Sequence, residues 1–156
     1  MRMNHVFDAQ SVQDYLNTLE NKKIVFTNGC FDLLHPGHIH YLSEAKALGD
    51  ILIVGLNSDA SVKQIKGQDR PINTQDFRAK MLLGLKPVDA VVIFNEDTPV
   101  KLISMIKPAI HVKGGDYKVT ELPEHDTVIA NGGEVTCLSF IEGYSTTDII
   151  NRLTNN

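Results

Sequence analysis

The chain has two cysteines, no long apolar run and no surplus of positive charge, and each lack excludes something. Cys30 and Cys137 show no pairing pattern, which excludes a disulfide scaffold and makes reduced thiols the expectation. No apolar stretch approaches membrane-spanning length, and Met1 to Asp8 lacks the apolar region of a secretory signal. A cytoplasmic protein without membrane partners is expected. Fifteen Lys and Arg stand against nineteen Asp and Glu, a net charge of −4. A nucleic-acid surface needs a basic face, so no nucleic-acid partner is expected either. A phosphate ligand must then be met by local positive groups. No repeat, low-complexity tract, linker, Ser-His-Asp order, catalytic carboxylate pair or zinc spacing stands out. The Walker pattern is missing too, which argues against terminal phosphoryl transfer on a P-loop.

What is present is an ordinary globular composition, 42% apolar and 22% charged over 156 residues, enough for one domain. Continuous apolar runs predict five strands: Ile24–Thr27, Ile51–Leu56, Ala90–Phe94, Ala109–Lys113 and Glu134–Leu138. Helices are predicted over Ser11–Leu19, Ile39–Leu48 (with Gly49 as C-cap), the stretch from Asn57-Ser58-Asp59 through Ile65, Gln75–Leu85, Pro99–Ile106 and Thr146–Leu153. Strands without polar alternation, separated by helices, predict an α/β fold. It is a Rossmann-like single domain over 1–156, a five-stranded parallel sheet with helices on both faces, preceded by a helical extension at 1–22. Ligands in such folds bind beyond the carboxyl ends of the strands. Residues 28–38, 57–59, 113–116 and 140–147 all fall on that edge.

The most informative of these is His35-Pro36-Gly37-His38, between the turn Asn28-Gly29-Cys30-Phe31-Asp32 and a helix. Pro36 suits the first helical position, and the free N–H groups of that turn favour anions. His35 and His38, three apart, share a helix face and can grip phosphates. A metal half-site lacks an obvious third ligand, and a helix cap is the plainer alternative. Cys30 lacks a catalytic-thiol context and reads as a small buried filler. Lys63, Lys66 and Arg70 surround Gly67 as a basic loop over phosphates, or as a solvated charge cluster. Arg78 is a phosphate fork or an exposed helix residue. Lys113-Gly114-Gly115-Asp116 allows close backbone approach to a flat ligand, with Asp116 as an acceptor partner, or is an ordinary turn. Ser145-Thr146-Thr147-Asp148 is a helix cap and a second anion site. Asp32 binds a metal–phosphate group or a substrate hydroxyl, or holds its own loop. Asp59 has the same ambiguity, because Asn57-Ser58-Asp59 also makes a good helix start.

The stretch Thr27 to His38 resembles the first motif of the cytidylyltransferase-like nucleotidyltransferases. From about Lys23 to Arg152 the chain is most similar to the adenylyltransferase domain of bacterial ADP-heptose synthases. The similarity includes 57–63, Gly67 with Arg70-Pro71-Ile72-Asn73, Lys113 to Tyr117, and Glu142 to Thr147. The resemblance implies transfer of AMP from ATP to D-glycero-β-D-manno-heptose 1-phosphate, releasing pyrophosphate. It implies His35, His38 and the Ser145–Thr147 helix end at the phosphates, with Lys63 or Lys66 as loop lysine. It puts Asn28 to Phe31, Gly37 and Lys113–Asp116 at the nucleotide. Asp32, Asn57, Asp59, Arg70 and Arg78 remain for the acceptor. Mg²⁺ accompanies the nucleotide, and a homodimer follows by analogy. The acceptor phosphate is already a nucleophile, so no protein base is implied. Related cytidylyltransferases carry an arginine before the final block, where this chain has Phe140-Ile141-Glu142. That weakens the alternative, a CTP-dependent enzyme for glycerol 3-phosphate. Many relatives fuse a sugar kinase ahead of this domain. If the chain is complete, a separate kinase supplies the substrate.

Overall fold

A computed structural model describes residues 5–155. In chain order the strands are β1 (Val6–Phe7), β2 (Ile24–Gly29), β3 (Ile51–Asn57), β4 (Ala90–Phe94), β5 (Ile110–Gly114) and β6 (Glu134–Leu138). The helices are α1 (Val12–Asn17), α2 (Pro36–Ala47), α3 (Asp59–Lys66), α4 (Gln75–Gly84), α5 (Val100–Ile106), α6 (His125–Ala130) and α7 (Thr146–Thr154). The six strands form one parallel sheet in the order β1-β4-β3-β2-β5-β6. The sheet therefore has six strands where the sequence predicts five. The added one is a two-residue edge pairing of Val6 and Phe7 with Val91 and Val92, too short to show any periodicity.

Strand residues alternate between two cores, which is why the strands show no regular alternation of apolar and polar residues. Val25, Leu52, Val54, Leu56 and Val112 pack with Tyr41, Leu42 and Ala45 of α2 and with Ala79 and Leu82 of α4. Phe26, Ile53, Ala90, Val92 and Phe94 pack on the other face with Val12, Leu102, Ile103 and Val128. Gly49 is not a C-cap, a position Leu48 takes. A Cβ at Gly49 would lie 2.7 Å from the Lys23 carbonyl oxygen, so the glycine serves close chain approach before β3.

Connections run from β2 outward through β3 to β4, then cross back to β5 on the other side of β2. The carboxyl ends of β2 and β5 thus sit side by side where the winding reverses, the position at which such sheets open a crevice.

Candidate active site

A cleft of about 610 Å³ opens at this point, walled by the β2–α2 loop, the end of β5, the 66–70 loop and the start of α7. Two helix N-termini face into it. Pro36 is the first residue of α2 and His35 its N-cap, as the sequence predicts. Ser145 caps α7, its Oγ accepting the Asp148 N–H at 3.0 Å. The Thr146 hydroxyl donates to the Leu33 carbonyl at 3.0 Å and ties α7 to the β2–α2 loop. Thr147 lines the cleft beside them. Unpaired N–H groups at two helix starts give the cavity positive potential without any net positive charge on the protein.

The two histidines are stacked, ring centroids 3.8 Å apart. His38 Nδ1 accepts the His35 backbone N–H at 3.3 Å. Burial, helped by the neighbouring His35, pushes the His38 pKa down to about 4. Burial also lowers His35. With Nδ1 of a neutral ring occupied as acceptor, the His38 proton stands on Nε2. His35 Nδ1 is buried with no partner. A Cβ at Gly37 would lie 2.9 Å from that atom and from its neighbour Cε1, so glycine leaves the room the His35 ring occupies.

The structure separates the remaining candidates. Asn28, Gly29, Cys30, Phe31, Lys66, Arg70, Lys113 and Gly114 line the cleft with the histidines. Lys63 does not: it lies exposed on α3, one turn too early to reach it. Gly115 and Asp116 lie just outside, Gly115 against the Phe140 ring and Asp116 exposed.

Arg78 is neither a phosphate fork nor exposed. It is 1% accessible and donates to the carbonyls of Asn73, Cys30 and Asn57 and to Asp59 Oδ1, at 2.7–3.0 Å. The partners Asn57 and Asp59 are thereby committed to a buttress behind the β2–α2 loop, with Asn57 Nδ2 also donating to Ser61 Oγ. None of the three lines the cleft. Cys30 is half-buried rather than a core filler, and its carbonyl is what the buttress holds.

Asp32 lines the cleft, but its carboxylate is spoken for. It accepts from Arg70 Nε and the N–H groups of Ile72 and Asn73, at 2.8–2.9 Å. Burial works against its charge, yet the Asn73 and Ile72 N–H groups and Arg70 outweigh it and hold the carboxyl below its ordinary range. Of the three readings of Asp32, the geometry carries the loop-holding one. Its effect is to seat Arg70 at the cleft wall.

Sequence reasoning gave no role to the aromatic lining of Tyr41, Tyr117, Phe140 and Tyr144, although it put 140–147 on this edge. Tyr41 follows His38 by three on the same helix, a usable signal. Its hydroxyl accepts from Thr27 Oγ1 at 2.6 Å and donates to the Val112 carbonyl at 3.1 Å, bridging β2 and β5. Phe140 lies over Gly114, where a Cβ would come within 2.6 Å of the ring.

Among the described residues no three His, Cys, Asp or Glu side chains converge as a metal cage, and no helix is long and apolar enough to cross a membrane.

The chain is similar to curated proteins named bifunctional protein HldE. It is 56% identical to that of Campylobacter concisus over 144 residues, covering 92% of this chain and 30% of the relative. The Helicobacter pylori relative is 54% identical over 143 residues, again 92% and 30%. The chain thus spans about a third of the length of the curated relatives it matches. Among solved structures it resembles the lipopolysaccharide core biosynthesis protein of Thermoplasma volcanium. That likeness has 33% identity and a TM-score of 0.64, over 80% of this chain and all of that one. Pantothenate synthetase of Thermus thermophilus shares the fold alone, with 13% identity and a TM-score of 0.64 over 92% of this chain and 67% of that one. The sequence pattern of the cytidylyltransferase-like family matches residues 26–152, from β2 into α7, and so takes in every wall of the cleft. The chain belongs to the cytidylyltransferase-like family of nucleotidyltransferases.

Proposed function

We propose that this chain transfers AMP from ATP to D-glycero-β-D-manno-heptose 1-phosphate, giving ADP-heptose and pyrophosphate. The observation that carries the transfer chemistry is the convergence of two helix N-termini, two neutral histidines, Lys66 and Arg70 on one cleft. The similarity to HldE proteins and to the ADP-heptose synthase motifs carries the choice of substrates.

An oxygen of the sugar phosphate attacks the α-phosphorus. A new P–O bond forms, the bond to the bridging oxygen breaks, and its electron pair leaves on pyrophosphate. The nucleophile is already an anion, so the protein's work is positioning and charge stabilisation. His38 Nε2–H and the helix N-termini donate to the polyphosphate oxygens, and Lys66 meets them from the end of α3. Arg70, fixed through Nε by Asp32, offers its other guanidinium N–H groups to the acceptor phosphate. Lys113, Gly114 and Phe140 flank the nucleotide's other end.

Mg²⁺ fits as a passenger of the triphosphate. The carboxylate on the cleft wall is saturated by Arg70, Ile72 and Asn73, and Mg²⁺ is commonly held through substrate phosphates and water. When bound it would neutralise phosphate charge. We also propose a cytoplasmic homodimer, which sizing by light scattering tests.

The deciding assay is pyrophosphate release with ATP or CTP, each offered with heptose 1-phosphate or glycerol 3-phosphate. Turnover with ATP and the heptose alone is expected. Turnover with CTP alone would overturn the reading and leave the fold and cleft intact.

A further inference from the structure

β5 carries two basic side chains of one face, His111 and Lys113, and a buried carboxylate joins them. His111 is 0% exposed and Glu124, the N-cap residue of α6, 1%. His111 Nε2–H donates to Glu124 Oε1 at 2.9 Å. Lys113 Nζ stands 3.7 Å from that same oxygen and 5.9 Å from the Tyr117 ring centroid. Burying a carboxylate is costly unless it is paired, and an apolar pair would serve stability as well. Here burial opposes the charge on Glu124, but His111 and Lys113 outweigh it and hold the carboxyl below its ordinary range. The charge is therefore kept, one layer behind the cleft, facing a cation that lines the cleft.

The separation matters. At 3.7 Å Lys113 is attracted to Glu124 without a hydrogen bond, so the three N–H donors of its ammonium stay available to a ligand. A lysine otherwise spreads over many rotamers, and ordering it on binding costs affinity. We propose that Glu124, anchored by His111, is a positioning residue that fixes the Lys113 ammonium at the cleft wall, where it donates to an acceptor atom of the bound nucleoside triphosphate. This rests on the placement of the nucleotide against Lys113 and Gly114 proposed above.

Glu124→Gln deletes the charge and keeps the shape and an acceptor for His111. Calorimetry of ATP binding at fixed ionic strength, which needs no acceptor sugar, reads the effect. Glu124→Gln is expected to weaken ATP binding about fivefold or more, as loss of a charge pair does, with kcat at saturating ATP unchanged. In a Lys113→Met background the same change is expected to add nothing. Should Glu124→Gln fail to fold, Glu124→Asp keeps the charge but withdraws it by one methylene. It is expected to give a smaller loss, again absent without Lys113. Equal losses with and without Lys113, or no loss in either, would overturn the inference while leaving the proposed function standing. Absence of ATP binding by the unmodified protein would overturn both.

Discussion

His38 accepts the His35 N–H at Nδ1 and is held neutral by burial, so this cleft-lining ring carries its proton on Nε2, as a donor. A pKa lowered from 6.5 to about 4 means the folded ring refuses a proton that the unfolded chain takes. Its contribution to stability is therefore full above pH 6.5 and is lost as pH falls from there through about 4. Ring ¹⁵N spectra of the free protein are expected to show the neutral Nε2–H tautomer from pH 8 down to about 5. A His38 titration near the ordinary value would contradict it. His38→Ala is expected to lower kcat about 10²-fold, as loss of one preorganised donor does, with the melting temperature nearly unchanged. Early melting with activity lost in proportion would make His38 structural instead. Gly37 extends the argument to a residue with no side chain. An alanine Cβ would stand 2.9 Å from two His35 ring atoms, so the ring must move. Gly37→Ala is expected to keep or raise the melting temperature, since alanine favours helix, while turnover falls about tenfold or more through misplacement. Unchanged turnover would show that His35 is not held where the reaction needs it.

At the scale of elements, α4 is tied to the β2–α2 loop and to the β3–α3 junction by one guanidinium. Arg78 makes four hydrogen bonds from a buried site, one of them to the Asp59 carboxylate. Arg78→Met strands three carbonyls and a partly buried carboxylate. It is expected to cost about 3 kcal/mol or more, a fall of roughly 6–12 °C in melting temperature for a domain of this size. Activity measured well below the transition should survive in large part. A normal melting temperature with activity abolished would restore the substrate-binding role read from the sequence. That misreading shows where the sequence stopped being informative. Period and composition located every long strand to within a residue or two, because both faces of the sheet demand apolar side chains. Helix starts were equally legible, with Pro36, Ser58 and Ser145 where their backbone chemistry puts them, whereas the C-cap expected at Gly49 falls on Leu48. A two-residue edge strand carries too little pattern to be seen, and α6 has one buried residue, Val128, to mark a face. The cleft residues 28–38 and 145–147 were visible because the strand edge and helix starts place them. Whether Arg78, Asn57 and Asp59 pointed into the cleft or behind it depended on tertiary packing, to which residue type is blind.

The molecule as a whole carries a net charge of −4, yet the proposed ligand is a polyanion. Affinity must then come from the short-range arrangement at the carboxyl edge: two helix ends, Lys66, Arg70 and neutral imidazole donors, all within one cleft. These groups arrive from both halves of the sheet, β2 and α2 with the 66–70 loop on one side, β5 and α7 on the other. A nucleotide bridging them must stabilise the folded chain, because unfolding scatters every contact at once. Ligand at 100 times its Kd adds about 2.7 kcal/mol, which for a domain of this size raises the melting temperature by roughly 5–10 °C. ATP with Mg²⁺ is expected to give such a shift in calorimetric melting, and CTP a much smaller one. Phe140 and Gly114 present a face without an arginine to read cytosine's acceptor edge. An equal shift from both nucleotides would mean that the phosphates alone are bound tightly and the base is selected only in the reaction. A shift from CTP and none from ATP would mean that the aromatic wall at Phe140 reads the other base, and the adenylyl assignment would fall with it.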